Sequence, residues 1–493
     1  MLEYRVDSHL HIGDCDRVEE LEQYAGLLGL CRTACLSLPV VGAEAATPGG
    51  AHTGGAHTGG AQPGDAPGGA PGGAPGGAPG GAPGGAGRLG RVSRLINFNP
   101  EVLLAMHRMP GVADGFGSFD NRALLAPGAG REGLEGRGRG AGGSGGTGGS
   151  GADREGWQPA AQVRLMHEAG FRAIKMWEAK PDLQRALGIT LEDPRLIEAY
   201  EEAGALGMPV LIHVADPPLF WQRPGGAWSY VGRDVPSFEE LIRQAASIAE
   251  RCRGTTFIFP HLLFLADDPG RMGRFLLEHP NTLLDLAPGN YLYPALGAAA
   301  SLDAPADPRR REEALAFFET FQERVMAGSD SFFLPVDLAL LPGTSLTNNL
   351  DRYIRLERFL GTEECFGSPY PATADEKPLI RGLGLSKRVM EKVFAGNYLR
   401  LMGTAAGSEV AAVAPDRTAA LRYLESWGRG VKEAEARAGE IARRIRALRS
   451  PGPGGRGVDG AGLRGPGPGG RGVDGAGLRG AGVDRAGRGA GEE

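Results

Sequence analysis

Residues 196–213, Leu-Ile-Glu-Ala-Tyr-Glu-Glu-Ala-Gly-Ala-Leu-Gly-Met-Pro-Val-Leu-Ile-His, contain the repeating unit that decides the fold. Apolar residues recur at helical spacing over Leu196–Leu206, and Met208–His213 is an apolar run of strand length. The same order of helix and strand continues through Phe238–Cys252, Thr255–His261, Arg271–Glu278 and Thr282–Leu286. Buried strands that alternate with helices at this spacing are typical of parallel βαβ units.

The alternation extends in both directions from this stretch. Eight strands are predicted in all: one led by Val6, then Cys31–Val40, Val112–Phe119, Phe171–Trp177, Met208–His213, Thr255–His261, Thr282–Leu286 and Arg324–Gly328. Eight parallel strands connected by helices predict an α/β fold, a (β/α)8 TIM barrel.

The glycine content divides the chain into folded and low-complexity parts. The 493 residues include 82 glycines and 36 prolines, and the excess is concentrated in three segments. Such segments cannot bury enough apolar surface to fold, so we expect them to be disordered. The predicted domains are a barrel over 1–402 with insertions at about 42–90 and 127–156, a polar helical extension over 403–450, and a disordered glycine-rich repeat tail over 451–493.

Charge and cysteine usage limit the partners that the protein can have. The net charge is −6, which is unlike the strongly basic surface of a nucleic-acid-binding domain. No run of 18 apolar residues occurs, which predicts no membrane span. Five scattered cysteines and the lack of an apolar signal core predict a reduced, cytoplasmic protein. We expect a small-molecule substrate and no nucleic-acid or membrane partner, and the sequence leaves a homodimer open.

The first chemical signal is Asp7-Ser-His-Leu-His11. Side chains alternate along a strand, so His9 and His11 point to the same face. At the carboxyl end of a barrel strand this face looks into the active-site mouth, where two imidazoles can bind one zinc-sized ion. Taken alone, the pattern also fits ordinary surface or core histidines.

Three further residues occupy equivalent positions on other strands. His213 and His261 each end an apolar strand, and Asp330 follows the last predicted strand. A single histidine at such a place is explained by packing or by loop hydrogen bonds. Closure of a barrel, however, brings the carboxyl ends of all its strands together around one axis. The sequence therefore predicts that His9, His11, His213, His261 and Asp330 form one cluster.

The order of these motifs resembles the amidohydrolase superfamily. The motifs are His-x-His at 9–11, Ile-Lys at 174–175, Ile-His at 212–213, Pro-His at 260–261 and Gly-Ser-Asp at 328–330. More narrowly, the chain resembles the amidohydrolase-related branch that includes aminocarboxymuconate-semialdehyde decarboxylase-like enzymes. The resemblance covers about residues 1–402. The glycine-rich insertions and the tail depart from the family pattern.

The resemblance implies a role for each residue of the cluster. His9, His11, His213 and Asp330 would be ligands of one divalent metal ion, with Zn²⁺ as the expected metal. Asp330 would also orient a water molecule and take its proton, so it is expected to be catalytic. His261, the second catalytic residue, would polarise a substrate oxygen or carry the proton.

Lys175 has several possible roles. Some relatives carry a carboxylated lysine here that bridges two metals, whereas in the branch this chain resembles the lysine would hold a substrate carboxylate. A third interpretation is structural, with Lys175 neutralised by Glu178. Trp177, on the same strand, is also predicted to bind substrate.

The loop after the His213 strand, together with a residue after the seventh strand, supplies three more candidate substrate-binding residues. They are Trp221, Arg223 and Tyr291. Aromatic and cationic side chains over a barrel mouth suit a planar or carboxylated substrate. The alternative is that the loop residues fold onto an aromatic core of their own.

Three functions are compatible with these residues. The first is metal-dependent hydrolysis of a C–N or C–O bond in a small molecule by metal-activated water. The second is non-oxidative decarboxylation or hydration of a small carboxylated substrate at the same site. The third, from another class, is a non-catalytic barrel that serves as a scaffold.

Overall fold

The computed structural model describes residues 2–38, 96–124, 158–224, 229–288, 291–296, 308–334, 345–367, 379–403 and 415–448. These belong to one compact unit that spans Met1–Ser450. The predictions for the insertions near 42–90 and 127–156, and for the tail over 451–493, lie outside the described residues.

A parallel sheet forms the centre of the unit. Its strands are β1 (Arg5–Ile12), β2 (Leu30–Leu36), β3 (Ala113–Gly117), β4 (Ala173–Ala179), β5 (Val210–Val214), β6 (Phe257–Phe259), β7 (Thr282–Asp285), β8 (Val325–Met326) and β9 (Ser331–Phe333). Each strand from β1 to β8 pairs with the next in the chain, and β9 pairs with β1. An antiparallel hairpin of β10 (Cys365–Gly367) and β11 (Leu379–Arg381) lies outside this sheet.

The sheet closes into a barrel because β8 and β9 are two parts of the eighth strand position. The first part pairs with β7 and the second with β1. Ala327 follows β8 directly, and its carbonyl oxygen accepts a hydrogen bond from the amide of Ser8 in β1 at 3.0 Å. The predicted TIM barrel is therefore confirmed, with an eighth strand that is interrupted beside Asp330.

Helices surround the barrel in the expected alternation. They are α1 (Val18–Leu28), α2 (Asn99–Arg108), α3 (Pro159–Glu168), α4 (Pro181–Leu187), α5 (Pro194–Ala205), α6 (Leu219–Gln222), α7 (Phe238–Arg251), α8 (Pro269–Glu278), α9 (Leu292–Ala295), α10 (Pro308–Thr320), α11 (Leu346–Gly361), α12 (Lys387–Glu391), α13 (Asn397–Leu401), α14 (Arg417–Ser426) and α15 (Lys432–Ala447). Side chains begin several of them: Ser237 caps α7, Asp193 caps α5 and Asp268 caps α8. None of the helices in the described ranges combines the length and the apolar character needed to cross a membrane.

The barrel interior is filled at its amino-terminal end, which leaves the other end for the site. One apolar cluster takes a buried side chain from each of the first eight strands, and residues of α13 pack onto it. Asn397, at the start of α13, donates to the carbonyl oxygens of Gln322 and Val325 at 2.7 Å each. A π-helical segment, Lys392–Gly396, joins α12 to α13. The apolar cluster and the contacts of α13 stabilise the end of the barrel that is opposite the histidines.

The region predicted as a polar helical extension over 403–450 contains two helices, α14 and α15. The break follows Trp427, where Gly428 and Gly430 have φ angles of 75° and 81°. Left-handed backbone of this kind ends a helix and suits glycine. The two helices pack against α2 and the residues just before it.

Candidate metal centre and active site

Three side chains from β1 and the interrupted eighth strand converge at the carboxyl-terminal mouth of the barrel. His9 Nε2 lies 3.2 Å from His11 Nε2, and Asp330 Oδ1 lies 3.6 Å and 3.5 Å from these two atoms. Both histidines are buried, and the Asp330 side chain is 13% exposed. The amide of Asp330 donates to the His9 carbonyl oxygen at 2.8 Å, which fixes the loop against β1.

The spacing of these three atoms fits a single metal ion. Two ligand atoms at 2.0–2.1 Å from a tetrahedral zinc ion lie about 3.3 Å apart, close to the three distances found here. Among the described residues, one other group could hold a metal, Asp14 with Cys15 and Asp16. That group is less suitable because Asp16 is exposed and paired with Arg444 at 2.6 Å.

Asp285, at the end of β7, orients His9. Its Oδ2 lies 2.8 Å from His9 Nδ1, and its Oδ1 accepts from the Ala287 amide. A carboxylate on the outer nitrogen places the proton there and leaves the lone pair of Nε2 for the centre, an arrangement common at metal sites. Burial raises the pKa of Asp285 to about 7. Sequence reasoning missed this residue, although it ends a barrel strand as His213 and His261 do.

The charge states of the three residues also suit a cation. Burial lowers the pKa of His11 to about 4 and holds the pKa of His9 well below its usual value, so both rings are neutral at pH 7. Burial by itself would raise the pKa of Asp330, but the contact with His11 and the nearby His9 and His261 hold it below its usual range. The centre therefore offers two neutral nitrogen donors and one carboxylate.

Asp7 and Gly328 hold the eighth strand close to β1. Asp7 accepts hydrogen bonds from the Ser329 amide and hydroxyl, at 2.9 Å and 2.6 Å, and from Tyr24 at 2.7 Å. At Gly328, an added Cβ would lie 2.3 Å from the Cβ of His9 and 2.6 Å from an oxygen of Asp285. Only glycine fits here, because any side chain would push apart two residues of the centre.

His213 and His261 form a second pair across the mouth. Nε2 of His261 lies 3.1 Å from Nδ1 of His213, and Nδ1 of His261 lies 2.7 Å from the Ala287 carbonyl oxygen. His261 begins a left-handed turn that continues to Phe264, with φ angles between 52° and 58°. Burial lowers the pKa of both histidines, that of His261 to about 4.

The hydrogen bonds of this pair assign its protons. A carbonyl oxygen can only accept, so Nδ1 of neutral His261 carries the proton and its Nε2 is an acceptor. Nδ1 of His213 must then donate, which leaves its Nε2 to accept from Lys180 Nζ, 3.4 Å away. Lys180 in turn donates to Asp216 at 2.6 Å, and Tyr230 donates to the other oxygen of Asp216 at 2.6 Å.

The structure thus divides the five predicted residues into a group of three and a pair. His213, predicted as a metal ligand, lies outside the group formed by His9, His11 and Asp330. Its outer nitrogen is engaged by Lys180, and its inner nitrogen faces His261. Lys180 and Asp216 are residues that sequence reasoning did not select, because their pairing joins two different loops.

Comparison with known proteins identifies the family. A family model described as Amidohydrolase matches residues 145–404, which is just over half of the chain. The chain belongs to the amidohydrolase family. This confirms the resemblance read from the motifs, and it makes the protein an enzyme by family. His9 and His11 lie before the matched region, and the other three residues of the cluster lie within it.

Several solved structures have a similar barrel. An uncharacterised TIM-barrel protein from Bordetella bronchiseptica is 12% identical with a TM-score of 0.39, and the match covers 81% of this chain and 98% of that one. An amidohydrolase from Burkholderia multivorans with bound zinc is 13% identical with a TM-score of 0.36, covering 82% and 100%. A 5-carboxyvanillate decarboxylase from Novosphingobium aromaticivorans with bound manganese is 12% identical with a TM-score of 0.32, covering 62% and 69%. No curated protein sequence matches the chain. The family assignment rests on the family model.

Lys175 and Trp177 of this amidohydrolase face the cluster from β4. Lys175 is fully buried, and its Nζ has no hydrogen-bond partner among the described residues. Burial lowers its pKa to about 7, against the opposing effects of Asp330 and Asp285. The ring of Trp177 lies 6.3 Å from that of His11 and 6.1 Å from that of His213. Trp177 therefore lies beside His11 and His213, and Lys175 is near enough to Asp330 and Asp285 to interact with their charges.

The three other predicted substrate-binding residues lie farther out. Trp221 donates from Nε1 to the Pro236 carbonyl oxygen and packs on Tyr230, with ring centroids 4.7 Å apart. Arg223 is exposed. The hydroxyl of Tyr291 lies 2.9 Å from the Phe264 carbonyl oxygen and 2.9 Å from Asp267 Oδ1, and its one proton can be donated to either of these acceptors. The aromatic contacts of Trp221 agree with the alternative in which the loop folds on its own core.

Proposed function

We propose that this amidohydrolase-family enzyme is a metal-dependent hydrolase that cleaves a C–N or C–O bond in a small molecule. The observation that carries the proposal is the convergence of His9 Nε2, His11 Nε2 and Asp330 Oδ1. These three residues would hold one divalent metal ion, with zinc as the expected metal because the donor set is rich in nitrogen. When bound, such an ion acts as a Lewis acid and lowers the pKa of water. His213, predicted from the sequence as a fourth ligand, is not required by this proposal, because its two nitrogens face Lys180 and His261.

The residues around the centre have distinct tasks in this proposal. Asp285 holds His9 in one tautomer, so that its inner nitrogen points to the centre. Asp330, which is ionised, is the group placed to accept a proton from a water molecule there. His261 can carry a proton at Nε2 while its Nδ1 stays bonded to the Ala287 carbonyl oxygen.

A second candidate function uses the same site. The unpartnered ammonium of Lys175 favours a substrate that bears a carboxylate, and this is compatible with decarboxylation or hydration. The two reactions differ in their products. Release of carbon dioxide without consumption of water indicates decarboxylation, whereas cleavage of an amide or lactone indicates hydrolysis.

We also propose that the protein works in the cytoplasm on a small molecule, without nucleic acid. The net charge of −6 supports the absence of a nucleic-acid partner, since nucleic-acid-binding domains are usually basic. Fractionation of cells that express a tagged full-length chain tests the location.

Metal analysis of the purified protein tests the proposed function. We expect about one divalent ion per chain in the wild type and a loss of nearly all of it in His11→Ala. His167→Ala is the matched control, because His167 is exposed on α3. Turnover is then sought among amides, lactones and aromatic carboxylates. A wild-type protein that binds no metal and turns over none of these classes would favour the scaffold alternative.

A further inference from the structure

One apolar wall of the barrel mouth includes a residue that lies outside the strands. The wall is a buried cluster of four residues: Leu38, Phe98, Phe332 and Leu334. The ring of Phe332 stacks on that of His11 with centroids 5.0 Å apart, and Trp177 packs against the cluster, so the wall borders the candidate metal centre. The other three members lie in a strand or within two residues of one, whereas Phe98 lies just before α2. The position of Phe98 therefore depends on contacts outside the sheet.

Two asparagines flank Phe98 and fix its backbone. Nδ2 of Asn97 donates to the Ser118 carbonyl oxygen at 2.9 Å. The side chain of Asn99 bonds to both the amide and the carbonyl oxygen of Ser118, at 2.8 Å and 3.0 Å. The Phe98 amide donates to Ser37 Oγ at 3.1 Å. Because Ser37 and Ser118 directly follow β2 and β3, these bonds tie the segment to the mouth ends of two strands.

Residues at the end of α14 complete the hydrogen bonds of both asparagines. Nε1 of Trp427 donates to Asn97 Oδ1 at 3.0 Å, and Nδ2 of Asn99 donates to the Tyr423 hydroxyl at 2.6 Å. Both asparagines are buried, and a buried polar group that loses its partner pays the cost of desolvation without compensation. Tyr423 and Trp427 thus hold the Phe98 segment through its two asparagines.

The last helix, α15, joins the same segment to the loop that follows β1. Arg437 lies 2.6 Å from the carboxylate of the buried Glu101 in α2, and 3.9 Å from that of Asp14. Beside Asp14, Gly13 packs on the wall, since an added Cβ there would lie 3.1 Å from the ring of Phe98. Both α14 and α15 begin after residue 404, where the family match ends. The wall therefore has a support that lies beyond the matched region.

We propose that Tyr423 and Trp427 are positioning residues that fix Phe98 in the wall of the mouth. They act through the two asparagines rather than on the reacting groups. The loops at the carboxyl ends of barrel strands form the substrate site in TIM-barrel enzymes, so a displaced Phe98 weakens substrate binding and leaves the reacting groups in place. The effect on substrate rests on the proposed function, whereas the placement of Phe98 does not.

Fluorine NMR of the full-length protein labelled with 5-fluorotryptophan tests the placement of Phe98. The chain has five tryptophans, and the resonance of Trp177, identified by its loss in Trp177→Phe, reports on the wall that this ring packs against. Tyr423→Phe removes only the hydroxyl that accepts from Asn99, and Trp427→Phe removes the N–H but keeps an aromatic ring. We expect the Trp177 resonance to move by more than its line width in both variants.

Tyr200→Phe is the matched control, because it removes a buried hydroxyl that has no hydrogen-bond partner among the described residues. Ile248→Val controls for a general loss of stability, since Ile248 is buried in the main apolar core. Neither control should move the Trp177 resonance. An unchanged resonance in both Tyr423→Phe and Trp427→Phe, or an equal shift in Ile248→Val, overturns the proposal. If Trp427→Phe does not fold, Tyr423→Phe decides by itself.

Kinetics and metal analysis separate this proposal from the proposed function. With a substrate found in the screen, both variants should raise KM by roughly three- to tenfold, as expected for one lost hydrogen bond, and leave kcat and metal content nearly unchanged. An unchanged KM overturns the role of the wall in substrate binding. A shifted Trp177 resonance in a protein that binds no metal and turns over no substrate contradicts the proposed function and leaves the placement of Phe98 standing.

Discussion

The barrel mouth holds two histidine pairs, His9 with His11 and His213 with His261, which belong to equivalent strand ends. The nitrogens of the two pairs nevertheless face different partners. The first pair turns two nitrogens toward Asp330, while Asp285 holds the outer nitrogen of His9. In the second pair, one nitrogen of His213 faces one nitrogen of His261. The other nitrogen of His213 faces Lys180, and the other nitrogen of His261 faces a backbone carbonyl oxygen. The partner of the outer nitrogen decides whether a buried histidine offers a lone pair or passes a proton. The predictions below test this difference.

Gly328→Ala should have the largest effect, because it forces His9 and Asp285 apart. Overpacking of this kind costs about 1–3 kcal/mol or more, and the new methyl group would collide with His9 and with Asp285, which orients it. We expect metal content near background and a lower melting temperature. Gly254→Ala is the control, since an added Cβ there meets no atom within 4 Å. Normal metal content in Gly328→Ala would show that close packing does not hold His9, His11 and Asp330 in place.

His261→Asn should separate metal binding from catalysis. Asparagine tolerates the left-handed backbone at this position, so the turn to Phe264 should persist. We expect kcat to fall by about 10²–10⁴-fold with metal content unchanged. The comparison variant, Asp330→Asn, should lose both the metal and the turnover. The measurement is turnover of any substrate found in the screen, together with metal quantification. Full activity of His261→Asn would remove its catalytic role, and loss of metal would make it a ligand.

Asp285→Asn should have a smaller effect, because it changes only the partner of a ligand. Loss of such a carboxylate typically weakens metal binding by about 10–100-fold. Asp216→Asn is the paired variant on the other side of the mouth, and it should leave metal affinity within about twofold of the wild type. Competition with a chromophoric chelator measures both. Equal losses in the two variants would mean that both histidine pairs bind metal, and the contrast between them would disappear.

Much of the barrel could be predicted from the sequence because its strands are continuous apolar runs between amphipathic helices. In the structure His9 and His11 lie beside Asp330, and His213 lies beside His261. The roles assigned to these residues from the sequence stay predictions. Their division into a group and a pair was not predictable. It depends on which partner reaches each nitrogen, such as Asp285 for His9 and Lys180 for His213.

Other features escaped prediction for local reasons. Asp285 is a single carboxylate in a short apolar strand, a pattern that also fits a residue at the start of a loop. Gly428 and Gly430, which follow Trp427, divide the predicted helical extension into two helices, because both have left-handed backbone. The interruption of the eighth strand at 327–330 is set by tertiary contacts, since Asp7 binds Ser329 across 322 residues of sequence.

The contact between the last described helices and α2 has a consequence for synthesis on the ribosome. Asn97 accepts a hydrogen bond from Trp427 at 3.0 Å, Asn99 donates to Tyr423 at 2.6 Å, and Arg437 pairs with Glu101 at 2.6 Å. These partners are separated by more than 320 residues, and translation proceeds at about 5–20 residues per second. The segment around Phe98 is therefore synthesised tens of seconds before the helices α14 and α15 that pack against it. During that interval Asn97, Asn99 and Glu101 lack the partners that they have in the complete fold.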